Sequence, residues 1–426
     1  MLIGNVMLIE FLGLFIFFIL VIYLVFRAYT KIKYPFWSIQ PVFHTYDLMY
    51  YIRQPYRISY DLPPINKYVN LVNIKTHDFA SIDDTTKTRV CNYYKSYGID
   101  KSYGIDKSYG IDLNKSYGID KSYDFNPAYL EGSNYPSYIS IYTKPKMLFE
   151  KNSIEPAMYI DEYISTITAR ILHITLKGIK TFPLYYVSNL CHTSTSTSTS
   201  THTNVADEMI ATHLYNVSRL QRKVVTFLFR QSSSANEIVG TTVANGIVPL
   251  TTFITRQYDI SHFYFMPFPI GSVALIEITK KNISLFTHFI NQYKNFDCIV
   301  LPEITNIQNT IHTGNMYIYG IIQNREMISA YVFKKGKNDA VVCVASSYIH
   351  GLMPDIFIIG FSQALSQIYK RDDKLKRIMI ENTSHNASIV EYANANAAFI
   401  NEYSSEYFLY NYGCYTYKPG ECFLIC

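Results

Sequence analysis

The first 33 residues carry a hydrophobic pattern unlike that of the rest of the chain. Phe11–Phe26 is an unbroken run of apolar residues and glycine, and Val6–Ile9 extends it on the N-terminal side, interrupted only by Glu10. With that extension the segment reaches the roughly 20 residues that a membrane-spanning helix needs. Basic residues follow at positions 27, 31 and 33, and none precedes the run. The positive-inside rule therefore predicts a single-pass membrane protein whose main domain lies on the cytoplasmic side. The alternative is a buried helix docked on that domain.

Beyond residue 33 the pattern alternates between strand-like runs and helix-like runs. Val, Ile, Tyr and Phe dominate the strand-like runs, as is typical of β-strands. Strands mixed with isolated helices predict an α/β (α+β) fold. The predicted strands are 163–174, 182–187, 224–229, 273–278, 297–301, 316–322, 329–333, 340–344, 377–380 and 407–412. The predicted helices are 205–222, 283–293, 357–370 and 388–398, and Asn204 is the expected N-cap of the first.

Two segments of low complexity interrupt this pattern. The hexapeptide Lys-Ser-Tyr-Gly-Ile-Asp occurs four times from residue 95 to residue 120, and a fifth copy decays after Lys121. Six-residue units with glycine and alternating charge do not sustain a helical face, so residues 95–123 are predicted to form a surface loop. The alternating Thr/Ser tract at 193–201 is predicted to be a solvated loop on the same compositional grounds.

Composition and charge narrow the class of protein. Of 426 residues, 49% are apolar and 17% are charged, which allows a sizeable core and argues against wholesale disorder. A net charge of +5 suits an anionic ligand or a membrane surface, but without a dense Lys/Arg stripe it does not predict nucleic-acid binding. The seven cysteines lack metal-ligand spacing, so neither a metal site nor a disulfide framework is predicted. The abundance of Tyr, Ile, Asn and Lys is typical of an AT-rich genome, such as that of a virus or protist.

A strand, a polar loop and a helix follow one another in the middle of the chain. The strand-like segment Tyr185–His192 leads through the Thr/Ser tract to His202–Ala206, where the helix is predicted to begin. Backbone N–H groups at a helix N-terminus, together with the helix dipole, favour an anion. The arrangement predicts a site for a pyrophosphate such as that of coenzyme A. The alternative is an ordinary strand–loop–helix connection.

Several landmarks, in order along the chain, resemble motifs of the N-myristoyltransferase (glycylpeptide N-tetradecanoyltransferase) family. Tyr34–Val42, with the only tryptophan, resembles F-W-x-T-Q-P-V; Ser188–Cys191 resembles N-F-L-C; and Tyr407–Cys414 resembles Y-Y-L-Y-N-W-x-C. The resemblance covers residues 34–426 and is that of a divergent relative. It implies two tandem GNAT-like acyltransferase halves related by a pseudo-two-fold axis. The acyl-CoA-binding half is expected at 34–222 and the peptide-binding half at 223–426, preceded by the membrane anchor at 1–33.

The resemblance also implies where the acyl donor, myristoyl-CoA, binds. Phe36, Trp37 and Tyr34 are expected to line the acyl-CoA site. The backbone amides of Asn189 and Leu190 are expected to form an oxyanion hole for the thioester carbonyl, and backbone donors survive a change of side chain. The other implied donor-binding residues are Cys191, His192, His202, Thr203, Asn204, Val205 and Ala206. Two of these, Thr203 and Asn204, stand where the family's phosphate loop is basic, which weakens the expected affinity for coenzyme A.

The same resemblance implies that the terminal α-carboxylate, here that of Cys426, is the catalytic base. An amine must lose its proton before it attacks a thioester. A free carboxylate is a weak base at neutral pH, and burial strengthens a carboxylate as a base. The alternative to a catalytic role is a tail that is only frayed or packed. The apolar segment Phe423–Cys426 favours packing, and the matched length favours the catalytic role.

The implied peptide-binding residues lie in both halves. Asn92–Tyr94 resembles the opening of the family's peptide-recognition loop, and Ser122–Leu130 resembles its exit. Between them the hexapeptide repeat replaces an acidic run, and its lysines offset its aspartates, so a changed substrate specificity is expected. The candidate peptide-binding side chains are Tyr93, Tyr94, Tyr123, Phe125 and Tyr264.

The sequence therefore predicts a membrane-anchored acyltransferase that moves myristate from myristoyl-CoA to the N-terminal glycine of peptides and proteins. Myristoyl-CoA is a substrate in this hypothesis, and neither a cofactor nor a metal is expected. The alternative hypothesis is a catalytically degenerate relative that is anchored to the membrane and binds an acyl-CoA or a peptide. The altered phosphate loop and the lost acidic run motivate it.

Overall fold

The alternating strand and helix pattern folds into one large mixed sheet and a small two-stranded sheet. The computed structural model describes residues 2–33, 35–45, 47, 52, 55–97, 126–149, 156–192, 205–232, 247–268, 271, 273–292, 295–336, 339–349 and 351–426. The predicted loop at 193–201, the expected N-cap Asn204 and residues 98–123 of the loop predicted at 95–123 lie outside the described residues. The prediction was wrong for residues 95–97, which form the end of the helix Asp84–Tyr97.

The described elements include seven helices and a larger number of strands. The helices are α1 (Leu2–Lys33), α2 (Asp84–Tyr97), α3 (Val205–Leu220), α4 (Ile283–Gln292), α5 (Ile304–His312), α6 (Pro354–Arg371) and α7 (Asn386–Asn396). The strands are β1 (Tyr56–Arg57), β2 (Ile74–Asp78), β3 (Tyr138–Phe149), β4 (Pro156–Leu176), β5 (Phe182–His192), β6 (Phe227–Ser232), β7 (Thr251–Asp259), β8 (Val273–Ile278), β9 (Cys298–Leu301), β10 (Met316–Gln323), β11 (Glu326–Lys335), β12 (Ala340–Tyr348), β13 (Arg377–Glu381), β14 (Ala398–Tyr410), β15 (Tyr412–Gly413) and β16 (Cys422–Leu424).

The same unit of strands and a helix occurs twice along the chain. In the first unit β3, β4 and β5 form an antiparallel meander, helix α3 crosses over, and β6 returns parallel to β5. In the second unit β10, β11 and β12 form the meander, α6 crosses over, and β13 returns parallel to β12. A two-fold repeat of this meander–helix–strand unit is what two tandem GNAT-like halves require. The expected fold class, with its pseudo-two-fold symmetry, is confirmed.

The strand that follows each unit in the sequence pairs with the other unit. β14 follows β13 in sequence but pairs antiparallel with β6, placing Phe408 opposite Phe229. β7 follows β6 in sequence but pairs antiparallel with β13, placing Tyr258 opposite Ile378. Since β7 and β14 also pair with each other, one continuous sheet joins the two units.

The centre of the sheet is covered on both faces. Residues Ile164 to Leu172 of β4 are all buried, whichever face their side chains point to. Helix α3 packs on β2 to β5, and α6 packs on β8, β10 and β11. The chain reaches the same region at its last residues, because β16 pairs parallel with β9, and β9 pairs with the end of β4.

Helix α6 shows why the sequence forms this element. Pro354 occupies its first turn, where a missing N–H costs nothing, and Lys370 and Arg371 lie in the last turn, where they complement the helix dipole. Phe357, Phe361 and Leu365 recur at helical spacing and are fully buried, so one stripe of the helix faces the core.

Gly360 of α6 gives the fold a testable contact. A Cβ added there would lie 2.5 Å from Ile321 Cδ1 and 2.5 Å from Tyr331 Oη, both in the core. We expect Gly360→Ala to lower the free energy of unfolding by about 1–3 kcal/mol, because overpacking exceeds the gain in helix propensity. Gly271→Ala, with no atom within 4 Å of the added Cβ, is the matched control and should be nearly neutral in a urea titration. Equal stabilities would contradict this packing.

Helix α1 is long and apolar enough to cross a membrane over Glu10–Lys33. The part of α1 that is long enough to span a membrane is not buried inside the protein. The structure therefore does not support the alternative of a buried helix docked on the domain.

Candidate active site

The first unit contains a backbone irregularity at two of the predicted catalytic residues. Thr168 of β4 pairs with Ser188 of β5, but Thr166 pairs with Cys191, so β5 carries an extra residue between them. Asn189 adopts φ 56°, a left-handed conformation that asparagine tolerates better than most residues. Such a β-bulge disrupts the ladder and re-aims backbone groups, and bulges are over-represented near active sites.

Side chains hold the bulge from two directions. The Thr168 hydroxyl donates to the Ser188 carbonyl at 3.1 Å and accepts from the side-chain Nδ2 of Asn189 at 3.0 Å. The Tyr94 hydroxyl of α2 donates to the Asn189 carbonyl oxygen at 2.6 Å. Burial raises the pKa of Tyr94, so it remains a neutral donor throughout the physiological range. These side-chain hydrogen bonds therefore stabilise the bulge in β5.

The bulge lies where two parallel strands separate. β5 and β6 pair only from Tyr185 to Val187, after which β5 continues to His192 and β6 to Ser232. In an open α/β sheet, ligands bind in the crevice outside the carboxyl ends of parallel strands. The bulge, and therefore Asn189 and Leu190, stands at the mouth of that crevice.

The equivalent crevice of the second unit is closed by polar links between β12 and the segment after β13. The backbone N–H of Ser346 donates to the Ser384 hydroxyl at 2.9 Å, and the Ser346 hydroxyl donates to the Asn386 side chain at 2.5 Å. The Tyr348 N–H donates to His385 Nδ1 at 3.1 Å. These three hydrogen bonds tie the ends of the second pair of parallel strands together.

An aromatic wall lies against the first crevice. Phe36 and Trp37 are 1% and 4% exposed, with ring centroids 4.9 Å apart, and share one core with Leu190 of the bulge and Ala206 of α3. Trp37 also packs edge-on against Phe408 at 5.4 Å. The structure thus brings together these four predicted residues, which lie far apart in sequence.

Other predicted donor-binding residues are placed only in part. Cys191 is half-buried, its carbonyl accepts from the Ser165 hydroxyl at 2.8 Å, and His192 is the last residue of β5. Val205 is the first residue of α3 and is half-buried. Tyr34, His202, Thr203 and Asn204 lie outside the described residues.

The predicted peptide-binding residues are not gathered in one place. The Tyr93 hydroxyl donates to the Ile164 carbonyl at 2.7 Å, so it ties α2 to β4 next to Tyr94. Tyr264 lies in the second half, is 59% exposed, and accepts at its carbonyl from Tyr392. Tyr123 and Phe125 lie outside the described residues.

The chain terminus lies in the interior. Cys426 is 7% exposed, and the preceding Ile425 N–H donates to the Val300 carbonyl of β9 at 2.8 Å. Burial raises the pKa of the Cys426 thiol to about 11, against the opposing effects of Lys334, Tyr407 and two arginines, Arg170 and Arg230. The packed terminus expected from the apolar ending is therefore confirmed, and the frayed tail is not.

Sequence reasoning missed the charged side chains around this terminus. Arg170, Arg230 and Lys334 are 5%, 1% and 2% exposed. Each lies within an apolar strand pattern, where a lone charge is costly unless it is compensated. A charged residue inside an otherwise apolar run was the feature of the sequence that could have revealed them, because the exposed polar positions of ordinary strands do not interrupt such runs.

No protein-family model matches the sequence, and no curated protein matches it. Solved structures do match. Saccharomyces cerevisiae N-myristoyltransferase with bound myristoyl-CoA superposes with a TM-score of 0.60 at 11% identity, covering 91% of this chain and 89% of that one. A structure of the same yeast enzyme with myristoyl-CoA and inhibitors gives a TM-score of 0.59 at 11% identity, covering 92% and 94%. The resemblance to N-myristoyltransferases that the sequence motifs indicated is therefore confirmed at the level of the fold.

Proposed function

We propose that this chain, which shares the fold of N-myristoyltransferase, transfers a myristoyl group from myristoyl-CoA to the N-terminal glycine of a peptide or protein. The observation that carries the proposal is the hydrogen-bonded bulge at Asn189 and Leu190, which lies just beyond the end of the β5–β6 pairing and shares one core with Phe36 and Trp37. An acyl donor needs an apolar wall for its chain and polar donors for its carbonyl, and both adjoin here.

The donor is proposed to lie in the crevice between β5 and β6. Its acyl chain would contact Phe36 and Trp37, and its phosphate groups would approach the N-terminus of α3, where Val205 and Ala206 begin the helix. The helix dipole favours an anion at that end. Asp207 and Glu208 in the first turn oppose this attraction, which fits the weakened affinity expected from the altered loop.

The proposed reaction is acyl transfer from sulfur to nitrogen. The neutral amine of glycine attacks the thioester carbonyl carbon, a C–N bond forms, and the C–S bond breaks. Backbone amides of Asn189 and Leu190 stabilise the oxyanion, the α-carboxylate of Cys426 accepts the proton of the amine, and the thiolate of coenzyme A leaves. Arg170, which acts electrostatically on Cys426, lies two residues from Thr168 on the same face of β4, about 7 Å away, and this supports placing the base on the side of the bulge.

Tyr94 tests the oxyanion part of the proposal. We expect Tyr94→Phe to lower kcat about fivefold, because losing a bond worth about 1 kcal/mol loosens the Asn189 conformation. The matched control is Tyr331→Phe, which removes a hydroxyl-to-carbonyl bond of 2.6 Å to Phe357 in the other half. A similar kcat loss in both variants would mean a general stability effect.

The peptide is proposed to approach from the second half, with Tyr264 exposed on that side and Tyr93 and Tyr94 on α2. Tyr123 and Phe125 complete the proposal from the sequence alone. Tyr264→Ala should raise KM for the peptide with little change in KM for myristoyl-CoA; the reverse pattern would remove Tyr264 from the peptide site.

Helix α1 is proposed to cross a membrane once and to leave the domain on the cytoplasmic side. On the cytoplasmic side the domain would have access to acyl-CoA and to protein N-termini that have not yet been modified. Protease treatment of sealed, right-side-out cells should leave the domain intact, and cleavage that occurs without permeabilisation would contradict this orientation.

The reaction is tested by incubating the full chain in detergent with myristoyl-CoA and a panel of glycine-starting peptides while following free coenzyme A. Peptide-dependent release that disappears when alanine replaces the glycine supports the transferase.

A second candidate function, a degenerate acyl-CoA-binding protein, is favoured by the cations around Cys426, which oppose a bound ammonium. It predicts that myristoyl-CoA changes Trp37 fluorescence while no peptide releases coenzyme A.

A further inference from the structure

Helix α1 leads directly into the buried start of the first unit. Beyond its apolar run, Thr30 in the last turn is only 6% exposed, so this end of the helix lies against the domain. The helix ends at Lys33, and Phe36, three residues later, is 1% exposed. Three residues span at most about 11 Å when fully extended. The surface next to Phe36 is therefore held close to the point where α1 joins the domain.

A surface loop formed by residues 62–73 contacts Phe36 at this point. Within the loop, Tyr68 is 3% exposed, and its ring packs edge-on against Phe36 with the centroids 5.1 Å apart. The Nζ of Lys67, whose side chain is exposed, lies 5.1 Å from the centroid of the Tyr68 ring. The 62–73 loop therefore lies beside the end of α1 and presents a cation there.

Hydrogen bonds hold the 62–73 loop in a defined conformation. The Asn66 side chain accepts from the Tyr68 N–H at 2.9 Å. The Asn70 N–H donates to the Thr212 hydroxyl of α3 at 2.8 Å, which fastens the loop to that helix. Because the backbone is fixed in this way, the fold positions the side chains that the loop exposes.

The loop exposes three large apolar side chains. Ile65, Leu71 and Val72 are 64%, 47% and 81% exposed. Scattered exposed apolar residues are normal on a protein surface. These three, however, share one ordered loop that adjoins a helix of membrane length. Apolar side chains placed beside a bilayer gain by entering its interface, where they leave water.

Basic residues surround the exposed apolar side chains. Residues 62–73 and 217–223, the second range including the end of α3, contain no acidic residue and four basic ones: Lys67, Arg219, Arg222 and Lys223. Arg219 Nη2 donates to the Pro63 carbonyl of the loop at 3.0 Å, so the two segments lie side by side. Asp61 before the loop and Glu208 of α3 oppose this charge in part. The excess of basic residues suits an anionic surface.

We propose that the 62–73 loop docks on the cytoplasmic leaflet of the bilayer that α1 crosses, with Ile65, Leu71 and Val72 between the headgroups and the acyl chains. This inference rests on the proposed crossing of α1. A single helix leaves a domain free to tilt, whereas a second contact with the bilayer fixes its orientation. The docked loop holds Phe36 and the rest of the aromatic wall next to the bilayer, into which long acyl chains partition.

The test places a fluorescent side chain on the loop. The full chain with Val72→Trp is reconstituted into vesicles of phosphatidylcholine and about 20% phosphatidylserine, with brominated acyl chains. Bromine quenches an indole only at close range, and the emission of the unaltered chain, which contains Trp37, is the baseline. We expect brominated lipid to remove about half or more of the added emission. Ile65→Trp carries the same expectation and serves if the first variant does not fold.

Phe399→Trp is the matched control. Phe399 is 54% exposed and precedes Phe408 by nine residues on β14, so it lies about 30 Å from the ring that contacts Trp37. We expect brominated lipid to remove about a tenth or less of its added emission. Quenching equal to that of Val72→Trp would mean that the domain adsorbs without using the loop, and would overturn this inference.

Two further measurements separate the docking from the crossing. Unquenched Val72→Trp emission, from a chain that resists alkaline extraction from the vesicles, overturns the docking and leaves the crossing intact. A reporter that is shielded from aqueous iodide but not quenched by lipid would mean that a second copy or another protein covers the loop, which also overturns the inference. Release of the chain by alkaline extraction overturns the proposed crossing, and the inference with it.

Discussion

Deleting Cys426 should lower myristoyl transfer at least about 100-fold while leaving myristoyl-CoA binding within about twofold. The deletion moves the α-carboxylate back along the strand to Ile425, whose N–H is fixed on Val300 of β9. The new carboxylate therefore cannot advance to the former position. General-base catalysis contributes typically 10²–10⁴-fold. Acyl-CoA binding is proposed to rely on Phe36 and Trp37, which the deletion leaves unchanged. The measurements are kcat by release of coenzyme A and affinity by Trp37 fluorescence.

Two variants distinguish the carboxylate from the thiol. Cys426→Ala keeps the α-carboxylate in place and removes only the thiol, so its kcat should stay within about threefold. A single glycine added after Cys426 carries the carboxylate away and should resemble the deletion. Full activity of the deletion variant would rule out the terminal base, and loss of activity in Cys426→Ala would reassign the role to the thiol.

Replacing Arg230 with methionine should lower the free energy of unfolding by about 3–5 kcal/mol. The substitution leaves the Glu381 carboxylate buried without its partner at 2.7 Å, and an uncompensated buried charge costs more than the lost attraction. The pair joins β6 of the first unit to β13 of the second. Denaturant unfolding of the full chain in detergent measures the change, with the slope checked for constancy.

The matching double variant identifies the cause. Arg230→Met combined with Glu381→Met removes both charges and should recover most of the stability, because an apolar pair of similar volume often replaces a buried ion pair without loss. Arg256→Met breaks a surface pair with Glu402 and should cost at most about 1 kcal/mol. A double variant as unstable as the single one would show that packing around Arg230, and not charge, sets the cost.

Local pattern predicted the regular elements that pack by one face. The helix predicted at 205–222 is observed at Val205–Leu220, and the helix predicted at 357–370 lies within Pro354–Arg371. The strand predicted at 273–278 is observed with those bounds. In these segments the apolar residues recur at helical spacing, or β-branched residues are frequent. Their local sequence therefore favours the same structure as their tertiary contacts.

Elements with a weaker pattern were missed. Helix α2 at Asp84–Tyr97 is polar on most of its surface, and β3 contains two lysines and a proline near its end. Strand β7 alternates buried and less buried positions but carries threonine and arginine at many of them. Such segments adopt their structure because neighbouring strands supply hydrogen-bond partners, a preference that local propensity does not report.

The exchange of β7 and β14 and the cations around Cys426 were beyond local reasoning for a related reason. Phe229 and Phe408 become neighbours although 179 residues separate them in the sequence. Arg170 and Lys334 converge on Tyr129 from different units. The predicted pairing of Trp37 with Asn189 and Leu190 came from resemblance to a known family, and composition alone would not have placed them together.

Myristoyl transfer is tested most directly by the mass of a glycine-starting peptide after incubation with the full chain and myristoyl-CoA. We expect a gain of one myristoyl group on the N-terminal glycine, and this gain should vanish when alanine replaces that glycine and when Cys426 is deleted. An unmodified peptide, from a folded chain that changes Trp37 fluorescence on binding myristoyl-CoA, would contradict the transferase and leave a binding protein.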